Sequence, residues 1–161
     1  MKSQLAVRRD LLLLVVWLAV IFKLSTGAGS AIHTNSWVDA LLFRFFPHWY
    51  AHLTWPVHDA IHYYLRKAAH VTEYAVLGVL MVRAFRHGRW AWRSVLLLAW
   101  AAASLYAASD ETHQIFVAGR TPKVTDVLLD SAGAAVGVAL TTWFLAWRLK
   151  SRQQRHEVGE G

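Results

Sequence analysis

A chain of 161 residues that is 56% hydrophobic, carries nine Trp and has a net charge of +7 is too apolar and too aromatic for an ordinary soluble domain of this length. Its Lys and Arg fall in short blocks between apolar runs and do not line one face, which argues against a nucleic-acid-binding surface and for membrane topology. The absence of Cys excludes a disulfide framework and any thiol-ligated zinc site.

The first apolar run, Leu11–Phe22, follows Lys2, Arg8 and Arg9 and precedes Lys23 and a stretch of small residues ending at Ala31. A basic head, an apolar middle and small residues also describe a secretory leader. The run is read as an uncleaved helix. It can extend past Lys23, whose ammonium reaches the interface on its flexible stem, to the roughly 20 residues that a span needs.

Residues Ser36–Phe46 begin with a candidate N-cap and continue as an apolar, aromatic segment too short to span a bilayer. Trp37, Trp49, Tyr50, Trp55, Tyr63 and Tyr64 suit headgroup depth, where a ring is half dry and half wet. This segment is therefore predicted to lie in the interface, with Pro56 opening the next helix.

From about Val57 a long helix runs to Phe85, with an apolar span near Ala68–Ala84. Arg83, Arg86, Arg89 and Arg93 form a basic loop around Gly88, and Ser94–Ala108 is the third span. Thr121 and Pro122 supply an N-cap and first-turn pair for a fourth span that ends near Trp147. The prediction is an all-α polytopic membrane protein. Residues 1–150 form a single bundle of four transmembrane helices with an interfacial helical segment between the first two, and 151–161 form a polar, disordered tail.

Lys and Arg number three before the first span, four between the second and third and four after the fourth, eleven on one side against six on the other. Positive charge collects on the cytoplasmic side, so both termini are predicted to be cytoplasmic.

Two stretches interrupt the apolar sequence. One holds Arg66, Lys67, His70, Glu73 and Tyr74; the other holds Asp110, Glu111, His113, Gln114, Arg120, Asp126 and Asp130. Both fall at the extracytoplasmic ends of their spans in this topology. Ionisable groups in or beside hydrocarbon are costly, which makes them functional candidates.

At about 100° per residue, Lys67, His70 and Tyr74 share a face, Asp110, His113 and Gln114 share another if the third helix persists, and Asp126 and Asp130 lie one turn apart above Gly133 and Gly137. The glycines are read as close helix packing. The polar groups, five of the ten acidic residues among them, are read as one pocket. A satisfied network that only fixes helix register is the competing reading.

Metal binding is left open. His70, Glu73, His113 and the two aspartates offer ligand atoms, but their spacing matches no specific metal motif. His48 and His52, like His58 and His62, stand one turn apart and are read as interfacial histidines rather than ligands. A nucleophile is not indicated, since Ser104 and Ser109 sit in no recognisable nucleophile motif.

The order R-K-x-x-H-x-x-E-Y-x-x-L-G, then S-D-E-x-H-Q-x-F-x-x-G-R, then D-V-x-x-D-x-x-G-x-x-x-G resembles the VanZ-like family of bacterial membrane proteins over Arg66–Gly137. The resemblance implies four membrane helices, a bacterial cytoplasmic-membrane and cell-envelope setting, and a link to teicoplanin resistance as in the family's namesake. It implies no reaction.

The resulting expectation is a protein that binds, or binds and modifies, a lipid-linked or phosphate-bearing envelope molecule. Lys67 and Arg120 would hold the anion, with Tyr74, Glu111 and Gln114 completing the binding wall. His70, His113 and Glu73 would serve as acid/base groups. Asp110 joins them in that set, and the Asp126/Asp130 pair would share a proton or hold a divalent cation. The alternative is a non-enzymatic membrane scaffold or partner-binding protein.

Overall fold

The computed structural model describes residues 2–26, 31–117 and 122–159. Six helices account for nearly all of them: α1 (Lys2–Ser25), α2 (Ala31–Phe45), α3 (Pro47–Ala51), α4 (Trp55–Phe85), α5 (Trp92–Gln114) and α6 (Val124–Gly159). No strand occurs among the described residues. Prolines fix two of the starts: Pro47 and Pro56 stand in the first turns of α3 and α4, where a missing N–H costs nothing. Gly88 turns the chain out of α4 with its N–H 3.0 Å from the Phe85 carbonyl oxygen.

Helix α4 is the centre of the bundle. It packs most extensively on α6, and also on α5 and α1, while α2 and α3 pack on each other. Three glycines explain the α4–α6 approach. A Cβ on Gly137 would stand 1.9 Å from the Ala75 carbonyl oxygen, one on Gly133 2.6 Å from that of Val71, and one on Gly78 2.4 Å from that of Ala134. The two backbones touch, as small residues on facing helices allow.

On α5 the contact stripe is Ala99, Ala103 and Ala107, each fully buried. The same one-turn spacing continues to Glu111, so the small-residue stripe leads directly to a buried carboxylate. Larger core side chains, Ile21, Tyr74, Leu77 and Val82, fill the space around α4. The outward faces carry Leu12, Val15 and Val16 on α1, Leu97 and Leu105 on α5, and Leu128, Leu140 and Trp143 on α6, all exposed.

By length and apolar composition, two of the described helices are able to cross a membrane, α4 and α6 as far as Ser151. The other two predicted spans differ in a definite way. Helix α1 includes Lys2, Arg8, Arg9 and Asp10, and α5 runs on through Asp110 and Glu111 to Gln114, so each mixes an apolar core with charged ends.

Three boundaries depart from expectation. Helix α2 starts at Ala31, which puts Ser36 inside a helix and not at its cap. Helix α6 starts at Val124, two residues beyond Pro122, while Thr121 lies outside the described residues. It also runs through Gly159, where composition alone predicts a disordered tail. The segment after Trp147 contains Leu, Lys, Arg and Gln and no Gly or Pro before residue 159, so nothing in it breaks a helix.

Candidate functional site

Near the middle of α4, one helical face presents Lys67, His70 and Tyr74 towards α6 and α5. Lys67 and His70 each meet a carboxylate of α6. Lys67 Nζ donates to Asp126 Oδ1 on α6, both side chains being less than one-fifth exposed. One turn deeper, His70 Nδ1 lies 3.5 Å from Oδ1 of Asp130, whose side chain is 1% exposed. The phenol of Tyr74 is fully buried and lies within electrostatic reach of Asp110 on α5 and Asp130 on α6.

Helix α5 does persist past Ala108, which brings its polar end into the same region. Asp110, Glu111 and Gln114 are all buried. Gln114 Nε2 donates to Asp110 Oδ2 at 3.2 Å, one turn back on the same helix. Glu111 Oε2 accepts the Lys123 backbone N–H at 2.8 Å, just ahead of the first turn of α6. A side chain from another helix thus satisfies one of the free N–H groups at the start of α6.

Beyond the apolar stretch of α5, burial pushes the Glu111 carboxyl above the usual carboxylate range. The Lys123 N–H opposes that shift, while the negative charges of Asp126, Asp130 and Asp110 reinforce it.

Several buried polar atoms in this region have no hydrogen-bond partner among the described residues. They are both carboxylate oxygens of Asp130, Nδ1 of His70, the hydroxyl of Tyr74, and Nδ1 of His113. Buried polar atoms are nearly always satisfied, and the exceptions call for an explanation. Here three of the residues, from α4 and α6, adjoin one another.

One predicted member is placed differently. His113 faces α1, its ring stacked on Phe22 with centroids 4.8 Å apart. Tyr106, two turns earlier on the same face, donates to the Leu18 carbonyl oxygen of α1 at 2.7 Å. The Glu73 backbone carbonyl accepts Trp17 Nε1 of α1 at 3.0 Å, while its side-chain charge reaches His70 in the cluster. Arg120 lies outside the described residues.

The two aspartates of α6 each face a group on α4. Asp126 turns to Lys67 and Asp130 to His70, so the two carboxylates have separate partners on α4. The described His and acid side chains whose ligand atoms do converge for a metal are elsewhere, at Asp39, His58 and His62.

The VanZ/LLP1 family matches residues 11–145, most of the chain, and the match takes in every residue of this cluster. The chain belongs to the VanZ/LLP1 family. No curated protein and no solved structure matches it. Membership links the chain to the cell envelope and to glycopeptide resistance. Within this VanZ/LLP1 chain the three sequence motifs come together: the α4 motif carries Lys67, His70 and Tyr74, the α5 motif the buried Asp110 and Glu111, and the α6 motif both aspartates and the glycines that bring them to α4.

Sequence reasoning missed a second polar cluster. Asp10 of α1, fully buried, accepts Arg83 Nη2 at 2.6 Å and Arg9 Nη2 at 3.1 Å on Oδ1, with His87 Nε2 at 3.1 Å and Arg86 Nη2 at 3.4 Å from Oδ2. Burial alone would raise the pKa of this carboxyl. The hydrogen bonds from Arg83, His87 and Arg9 outweigh it and bring the pKa down to about 2. The signal was available, since Asp10 is the single acid at the start of the apolar run, opposite a block of arginines. A count of positive charge by side hides it.

Proposed function

We propose that this VanZ/LLP1 chain is a multi-pass protein of the bacterial cytoplasmic membrane, with α1, α4, α5 and α6 as its four spans, α2 and α3 at the interface and both termini cytoplasmic. The exposed apolar faces of α1, α5 and α6 support the four-span reading, since water would not tolerate them and lipid would. The buried cluster on α4, α5 and α6 is its functional site, and that site binds and modifies the polar head of a lipid-linked or phosphate-bearing envelope molecule.

The observation that carries this reading is the set of buried polar atoms on His70, Tyr74 and Asp130 that make no hydrogen bond among the described residues, beyond the 3.5 Å contact between His70 and Asp130, and that a ligand would satisfy. His70 and Asp130 form an imidazole–carboxylate dyad suited to moving a proton. Tyr74 supplies a neutral donor beside it. Lys67, at the more exposed end of the cluster, is the cation for an anionic head and would exchange Asp126 for it, with Arg120 as the second anion contact.

Cells producing Asp130→Asn or His70→Ala at wild-type membrane levels test this. They should show the lipid and peptidoglycan-precursor profile, and the glycopeptide susceptibility, of cells lacking the protein. Wild-type behaviour in both would refute it.

A second reading, a scaffold whose polar pairs only set helix register, is favoured by the Lys67–Asp126 pair. It predicts that the exchange Lys67→Asp with Asp126→Lys retains the phenotype.

A further inference from the structure

Side chains of α2 and α3 meet the first turns of α4, and there a different set of residues converges. Asp39 of α2 and His58 and His62 of α4 bring one carboxylate oxygen and two imidazole nitrogens to within 4.8 Å of one another. The histidines stand one turn apart, so both rings rise from the same face of α4. His62 Nε2 lies 2.7 Å from Asp39 Oδ1, and the Tyr50 hydroxyl of α3 donates to that same oxygen. The His58 ring is held between Tyr50 and Trp55, with centroid separations of 4.4 and 5.9 Å. The His62 side chain is 11% exposed, and its Nδ1 is buried with no hydrogen-bond partner among the described residues.

We propose that Asp39, His58 and His62 hold a divalent transition-metal ion, zinc in the first place. Two imidazoles and one carboxylate are a borderline-soft donor set that fits zinc and related ions, whereas calcium and magnesium take oxygen ligands. Ligand atoms around a tetrahedral zinc lie about 3.4 Å apart, so side-chain movements of roughly 1 Å close the set. Tyr50 fixes the carboxylate, the role that outer-sphere hydrogen bonds play around metal ligands. Three protein ligands leave a fourth position open to water or to an incoming donor.

His62 precedes His70 by eight residues, about 12 Å along α4, so this centre is separate from the buried cluster and does not depend on its function. The chain contains a second pair of histidines at the same spacing, His48 and His52. Among the described residues, the pair that meets a carboxylate is His58 and His62.

The test uses the full chain purified in detergent without a histidine tag, stripped with chelator, and titrated with zinc and then with cobalt. The wild type and His48→Ala/His52→Ala should each take up one zinc per chain, and bound cobalt should show the visible absorption of a site with nitrogen ligands. His58→Ala/His62→Ala should lose the ion. Asp39→Asn, which keeps a partner for the Tyr50 hydroxyl and so tests the site without unfolding it, should weaken zinc more than about 100-fold, and Tyr50→Phe about 10- to 100-fold. A wild type that takes up neither metal, or a folded Asp39→Asn that binds zinc as the wild type does, would reduce the cluster to a His62–Asp39 ion pair and overturn the proposal.

Discussion

Asp10 and Asp130 are both fully buried aspartates facing α4, yet their surroundings are opposites. Asp10 is surrounded by donors from Arg9, Arg83, Arg86 and His87, more than its two oxygens need. Asp130 has one histidine at 3.5 Å and hydrogen bonds to neither oxygen among the described residues. They sit at opposite ends of the packed stretch of α4, the contacts at His70 and Arg83 being thirteen residues, about 20 Å, apart. A carboxylate whose bonds are complete joins helices. One left short is the candidate for a ligand in the proposed function. Burial and charge alone therefore do not separate a structural ion pair from a site; the count of satisfied atoms does.

If that distinction holds, the largest effect belongs to Asp10. Asp10→Ala leaves Arg83, Arg86 and His87 crowded together without their counter-charge, and should cost about 3–5 kcal/mol in thermal or denaturant unfolding of the detergent-solubilised protein. Next comes Gly137→Ala, which drives a methyl into the Ala75 carbonyl and should cost about 1–3 kcal/mol by the same measurement, by separating α4 from α6.

Glu111→Ala removes the acceptor for the Lys123 N–H at the start of α6, a loss of about 1 kcal/mol, read as faster amide exchange in the first turn of that helix.

A pH dependence tests the same Asp10 contacts without a new side chain. The folded Asp10 carboxyl titrates at about 2, below its ordinary 3.8. Its contribution is thus complete above about pH 4 and is lost as pH falls from there towards 2. Wild type should lose unfolding temperature across that window, and Asp10→Asn should lose less. An equal loss in both would mean the Arg83–Asp10 contact does not carry the charge ascribed to it.

Much of this architecture is legible in the sequence. The apolar runs, Pro56 and the Gly133/Gly137 spacing give α4, α6 and their close contact, because a small residue every fourth position has few other uses. The site is legible in part. Lys67, His70 and Tyr74 share a face by helical periodicity alone, and Asp126 and Asp130 share another. Which cation each aspartate meets depends on the rotation of α4 against α6, which periodicity does not supply.

His113 shows the limit most clearly. Its spacing from Asp110 fits the site, but a shift of about 60° around α5 is enough to turn its ring onto Phe22 of α1. Asp10 was hidden because its partners are some 75 residues away in sequence, and Asp39 meets His62 for the same reason: a turn of tertiary structure, not a local pattern, brings them together.

The most direct test compares Asp130→Asn with Asp10→Asn in the same strain and the same detergent, reading unfolding temperature and glycopeptide susceptibility for both. Asp130→Asn relieves a buried, under-bonded charge, so it should unfold at or above the wild-type temperature while losing the phenotype, and Asp10→Asn should unfold well below it. An Asp130→Asn protein that unfolds as early as Asp10→Asn, or that keeps the wild-type phenotype, would show that the two aspartates do the same structural job and that the α4–α6 cluster is not a site.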